Sequence, residues 1–240
     1  MRGIRLSSAG AVCAIVTVVG FVVGIAIMAT SGVQVLIPEP GTDGLEWIAD
    51  VDDAGHAFVM GAALVVFAGM FGLVAFLGFY DALKDAGPLL IVAPVVGAAG
   101  MVLVTISHAT PIALALELVP AYATADEATR SSLTAMADTL AEFCLLMNYF
   151  GDILIWGVTT PLFAYGILKT GRVPRWIGWV GLVSAFFAGW LGLLAPVSSI
   201  VEGLSTIGFF AFFLFFASFG VALLLRRDVA PSATETPAAA

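Results

Sequence analysis

The sequence predicts an all-α fold, a polytopic membrane helix bundle with six transmembrane helices, and three observations carry that prediction. Of 240 residues, 61% are apolar and only 11% are charged, whereas soluble domains carry about 25% charged residues. Mean hydropathy is +1.08, so the chain has too little polar surface to wrap a soluble core. The apolar residues also gather into six runs, each near the ~20 residues a helix needs to cross the hydrocarbon layer. Together these exclude intrinsic disorder, a disulfide-rich secreted module and an ordinary cytosolic enzyme. Backbone polar groups in hydrocarbon must be satisfied within their own segment, which makes the runs helices. They are too long for barrel strands and lack the polar alternation of such strands.

The first run covers residues 10–30. Arg2 and Arg5 precede it, and Ala29-Thr30-Ser31 resembles a cleavage site. A signal peptide's apolar core is only about 7–15 residues long, so a retained helix is expected. An acidic outer loop, 31–53, leads to the second run, 54–80. The hairpin from Asp81 to Gly87 ends that run, and Pro88 opens the third (88–108) at the first-turn position where a helix tolerates proline. The next stretch, 109–141, is too polar to span and is expected to be a second outer loop. Within it, Thr124 to Glu127 reads as a capping box opening a short helix, and Ile112, Leu116 and Val119 have the spacing of an interfacial helix. The fourth run is 142–169, the fifth 176–197 and the sixth 200–225. Residues 1–225 thus form one domain, and the Ala-, Pro-, Ser- and Thr-rich end, 226–240, reads as a disordered cytoplasmic tail.

The basic residues set the expected orientation. Arg2, Arg5, Lys84, Lys169, Arg172, Arg175, Arg226 and Arg227 all fall on one side after six crossings, and only Arg130 falls on the other. By the positive-inside rule both termini are cytoplasmic. Acids crowd the opposite side, with Glu39, Asp43, Glu46, Asp50, Asp52 and Asp53 in the first outer loop. Glu117, Asp126, Glu127, Asp138 and Glu142 lie in or beside the second, and Glu202 in the third. The plain reading is a solvated face, and the sharper one a cation-attracting mouth. No basic patch of the nucleic-acid-binding kind exists, so nucleic acid is excluded as a partner. The expected partners are the lipid bilayer, a membrane protein, or a second copy. Cys13 and Cys144 have no metal or disulfide spacing and read as small apolar residues.

Asp152 is the most telling single residue. It lies deep in the fourth run, where inserting a carboxylate costs about 2.5–3.5 kcal/mol. Asn148 is one turn earlier on the same face, and Thr105, Thr159 and Thr160 are further partner candidates. Asp152 with Asn148 is either an ion or proton pathway or a clamp between helices. His56 opens the second run and His108 closes the third, so both belong near the outer boundary. With Asp53 and Glu142 they would form an outer-face site for a divalent metal, or the two histidines would ligate a haem. Lys169, Arg172 and Arg175 sit at head-group level as an anchor for lipid phosphate. Pro94 and Pro161 free backbone carbonyls at depth. Gly20 with Gly24, Gly97 with Gly100, and Gly178 with Gly181 mark close-packing surfaces. The phenylalanines from Phe209 to Phe219 surround the sixth helix and suggest a face toward lipid or a partner.

From the fourth run onward the chain resembles an uncharacterised prokaryotic multi-pass family, the domain of unknown function 4386. The resemblance rests on Gly157, Pro161, Leu162, Gly166 and Leu168, then on Val173 to Gly178 with Gly181 and Leu182. A weaker echo runs from Leu77 to Tyr80 and from Gly87 to Pro88. It implies a bundle of six to seven helices, and it transfers no catalytic residues. The expectation is therefore a multi-pass cell-membrane protein with a binding, accessory or structural role. A transporter or channel using Asp152 and the acidic mouth is the first alternative. A metal- or haem-dependent membrane enzyme at His56 and His108 is the second.

Overall fold

The computed structural model describes residues 6–32, 41, 43–197 and 199–226. Arg2, Arg5, Glu39, Arg227, the side chain of Glu202 and the tail 227–240 lie outside them. Six helical rods follow one another: α1 (Leu6–Thr30), α2 (Gly44–Ala86), α3 (Pro88–Thr124), α4 (Glu127–Thr170), α5 (Arg175–Leu194) and α6 (Ser199–Leu225). All are long and apolar enough to cross a membrane, α6 over Gly203–Leu225, and the described residues contain no strand. Each helix packs on the next, and α6 returns to pack on α1.

Glycines set these contacts. A Cβ on Gly10 would lie 2.5 Å from the Gly78 Cα, so α1 and α2 touch backbone to backbone. Gly24 meets Gly61 in the same interface, and Gly100 of α3 meets Gly151 of α4. The small-residue pairs are thus spent within the chain. This fits helix packing in lipid, where close approach replaces the hydrophobic drive.

α2 and α4 have 43 and 44 residues, about twice what a ~30 Å hydrocarbon layer requires at ~1.5 Å per residue. Their excess lies at the acidic end. α2 begins ten residues before the expected start because Asp43 caps it, accepting from the Leu45 and Glu46 amides at 2.8 and 3.3 Å. Asp138 Oδ1, from α4, accepts from the Gly44 amide at 2.6 Å. Gly55 (φ 57°, ψ −142°) then breaks the helical path before the spanning part of α2 begins.

The segment expected as an outer loop, 109–141, is instead a helical hairpin. α3 passes through a π-helical stretch at Leu114–Leu118 and ends at Thr124, and α4 starts at Glu127. The cap is Asp126, which accepts from the Thr129 amide at 2.9 Å, not Thr124, whose hydroxyl bonds back to the Pro120 carbonyl at 3.3 Å. The hydrogen bonds from Thr129 hold the Asp126 carboxyl below its usual range. Hydropathy is blind to this hairpin because helices standing in water need no apolar surplus.

Two apolar cores fill the bundle. Phe76, Phe79, Phe163, Phe216 and Phe219 interlock toward the basic end, with Phe79 and Phe219 stacked at 4.1 Å. Trp47, Phe58, Leu114 and Cys144 belong to the second, toward the acidic end. The expectation of an outward aromatic face on α6 is therefore corrected. Phe212, Phe215, Phe216 and Phe219 are buried, while Phe210 is 65% exposed. Seven phenylalanines on one helix serve the interior and the exterior because α6 packs on α1 and α5 at once.

Candidate functional site

Where α3 and α4 pass closest, polar side chains from the two helices join. A Cβ on Gly100 would come within 2.8 Å of the Gly151 carbonyl, so only glycine permits this approach, and the next residue is Asp152. One turn back, Asn148 Nδ2 donates to Asp152 Oδ2 at 2.8 Å. Across the interface, Ser107 Oγ stands 3.3 Å from Asn148 Oδ1 and 3.2 Å from His108 Nδ1. His108 Nδ1 lies 2.9 Å from the Val104 carbonyl oxygen. A carbonyl oxygen only accepts, so Nδ1 carries the ring proton and Nε2 the lone pair. Ser107 is 0% and His108 7% exposed. The result is an unbroken polar chain, His108–Ser107–Asn148–Asp152, inside an apolar bundle.

The partner of Asp152 is thus Asn148, and none of the threonines. Thr105, Thr159 and Thr160 bond to the carbonyls of Met101, Ala93 and Ile155 at 2.7, 3.2 and 2.8 Å. Thr105 and Thr160 bond within their own helices, as threonine there readily does, whereas Thr159 reaches across to α3.

Directly after Asp152, α4 widens into a π-helical stretch at Ile153–Thr159. Pro161 supplies part of the reason. It has no N–H to offer the carbonyl four residues before it, and that carbonyl, of Gly157, accepts instead from Trp190 Nε1 of α5 at 3.0 Å. The proline expected to free a carbonyl at depth thus fastens α5 to α4.

The polar chain forms one wall of a cavity of about 450 Å³ between α1, α3, α4 and α6. Its other walls are mostly apolar, with Phe21, Met101, Ile155, Trp156 and Phe213 prominent and the hydroxyls of Thr17, Ser205 and Thr206 among them. The Phe21 ring stands edge-on to His108 at 6.3 Å and 6.2 Å from Phe213. A cavity of this size and lining is of the kind that holds small ligands. His108, Asn148 and Asp152 stood out in the sequence, whereas Ser107 and the apolar walls of the cavity did not. The nearest signal was the adjacent Ser107-His108 pair in one apolar run and the Asn148/Asp152 pair in another.

The residues expected to share a metal do not gather. His108 is buried in the cavity wall, whereas His56, Asp53 and Glu142 are exposed. Among the described residues, no group of three or more His, Cys, Asp or Glu side chains is placed to hold a metal ion. Equal depth fixes height along the bundle but not direction around each helix, and His56 follows the Gly55 break directly. The outer acids include structural caps, namely Asp43, Asp126 and Asp138.

At the other end most of the basic side chains find separate partners. Arg172 Nη1 donates to the Ala82 carbonyl at 2.7 Å, and Nη2 pairs with Asp85. Lys84 pairs with Asp81 at 2.9 Å, and Lys169 lies 5.4 Å from the Tyr165 ring centre. Arg175 is exposed and has no polar partner among the described residues. Trp176 and Trp179 beside it are 50% and 60% exposed, as expected of an interfacial belt.

No curated protein and no solved structure matches this chain. Six helices able to span a membrane make it a multi-pass membrane protein, and residues 8–226 match the family model described as a domain of unknown function, DUF4386, so the chain belongs to that family.

Proposed function

We propose that this protein is a binding component of the cell membrane that receives a largely apolar ligand in the cavity between α1, α3, α4 and α6. The observation that carries this reading is the contrast within one cavity of about 450 Å³, apolar on most sides and polar along His108, Asn148 and Asp152. Apolar walls supply affinity and a few placed polar groups fix orientation. The excess of bases at one end supports cytoplasmic termini, which puts the cavity in the outer half of the bilayer. The unpartnered Arg175, beside Lys169 and Arg172, supports a contact with lipid phosphate at the inner face.

Photolabelling tests the reading. The protein in nanodiscs is irradiated with an alkyl diazirine, and the modified peptides are identified. The label should concentrate on cavity residues such as Met101 and Trp156 and fall when excess unlabelled alkane is added. Ile155→Trp, which fills the cavity, should remove it. Labelling no stronger than at the outward-facing Phe67 and Met70 of α2 would defeat the proposal. Topology is checked separately by labelling cysteines placed at Lys84 and Asp53, which should react from opposite faces.

A second reading has one observation of its own, the Asp152 carboxyl on the cavity wall. In that reading Asp152 and Asn148 carry protons or ions across. Flux in proteoliposomes that is abolished by Asp152→Asn would favour it, since the isostere preserves the hydrogen bond to Asn148 but not the charge.

A further inference from the structure

The polar wall of the cavity has a direction. His108 Nδ1 spends its proton on the Val104 carbonyl, which leaves Nε2 as a lone pair with no partner among the described residues. Asp152 Oδ2 is taken by Asn148, which leaves Oδ1 likewise without one. Oδ1 accepts if the carboxyl is ionised, and if the carboxyl is protonated with Oδ2 as the carbonyl that Asn148 holds, Oδ1 is a hydroxyl that itself donates. Asn148 Oδ1 lies 3.3 Å from Ser107 Oγ, whose single proton is shared with the Val104 carbonyl at 3.0 Å. The wall therefore presents one group that only accepts, His108 Nε2, beside Asp152 Oδ1, the second amide proton of Asn148 and the hydroxyl of Ser205. Polar groups sequestered from water are costly unless paired. An occupant without a donor would leave the His108 lone pair unpaired.

We infer that the cavity selects a lipophile whose head is a hydrogen-bond donor, a hydroxyl or an amine on an apolar body. This rests on the binding reading above and adds the chemical class of the ligand. The hydroxyl fits the donor as well, because it donates to His108 Nε2 or Asp152 Oδ1 while accepting from Asn148. Apolar molecules that only accept, such as esters, fill the same volume and leave the His108 lone pair unpaired.

The way in fits a ligand dissolved in the bilayer. Toward the basic end, α6 lies against α1, where a Cβ on Gly220 would be 2.9 Å from the Ala11 carbonyl. Toward the acidic end the space between the two helices is the cavity itself, crossed by the Phe21–Phe213 contact. Phe210 both lines the cavity and faces outward, so the opening lies on the lipid side.

The test is competition for the diazirine label in nanodiscs by dodecanol, dodecylamine and methyl dodecanoate, each expressed as mole fraction in the lipid. The alcohol, the amine or both should compete at about tenfold lower fraction than the ester, the value of a hydrogen bond or two in a dry site. An effective amine alone assigns the pairing to the Asp152 carboxylate. An effective alcohol alone assigns it to a neutral donor. His108→Phe and Asp152→Leu should each bring competition by the alcohol and the amine toward that of the ester. The wild-type comparison decides the matter even where a variant does not fold. Equal competition by all three, or preference for the ester, overturns the donor assignment and leaves the cavity as a binding site. No competition by any of them overturns the binding reading itself.

Discussion

Asp138→Ala should loosen the first eleven residues of α2 without unfolding the bundle. The Gly44 amide is one of the four that a helix start leaves unpaired, and Asp138 reaches it at 2.6 Å from another helix. Asp43 serves only Leu45 and Glu46, so no other cap is in place for Gly44. A charge-assisted hydrogen bond contributes about 1.5–3 kcal/mol. Taking about 2 kcal/mol, local opening becomes about thirtyfold more frequent. Gly55 separates this segment from the spanning helix, so the effect should stop there. Hydrogen exchange by mass spectrometry on the protein in nanodiscs reads it directly. Amides of residues 44–54 should exchange about thirtyfold faster, while those after residue 58 keep their rates. Asp138→Asn, which keeps an acceptor, should show only a minor part of the change. Unchanged exchange over 44–54 in Asp138→Ala, or equal acceleration across all of α2, would refute the capping role and the separation at Gly55 respectively.

Gly10→Ala places a methyl 2.5 Å from the Gly78 Cα, where both sides are backbone and cannot yield. Reversible unfolding in mixed micelles should show a loss of about 1–3 kcal/mol. Gly55→Ala has open space around the new methyl but a positive φ with ψ near −142°, so it should cost about 1–3 kcal/mol from backbone strain alone, read as faster exchange on both sides of residue 55. The Asp126 cap has a definite pH sign. Because its carboxyl is held below the usual range in the fold, its stabilisation is complete above about pH 4 and is lost as pH falls through the lower folded value. Amides 127–130, corrected for intrinsic rates, should keep constant protection from pH 8 to 5 and lose it on further acidification.

The spans were legible because crossing a bilayer imposes a length and a composition that a hydropathy reading captures without knowing any contact. The helix starts at Asp43 and Asp126 were less so. Both caps stand in polar sequence, and in the first case the deciding hydrogen bond comes from a residue 94 positions away. At the site, Asn148 and Asp152 were visible as a pair because four residues is a helical spacing. Ser107 was not, because its role depends on which face of α3 the Gly100–Gly151 contact turns toward α4. The cavity had no signature at all, since its apolar walls come from four helices whose residues look individually like lipid-facing ones. The phenylalanines of α6 misled for a related reason. Rings all round a helix mean exposure only if its neighbours are few, and packing against α1 and α5 is not written in the sequence of α6.

The two overlong helices differ in one respect with a mechanical consequence. α4 is helical without interruption from Glu127 to Asp152, a strut of about 38 Å whose tip is in water and whose foot is the carboxyl on the cavity wall. α2 starts beside Asp138, short of the outer end of α4, and is jointed at Gly55. A push or pull on the outer tips is therefore absorbed by the joint in α2 and delivered along α4, so the two rods act as a soft arm and a stiff lever, with the cavity at the end of the stiff one.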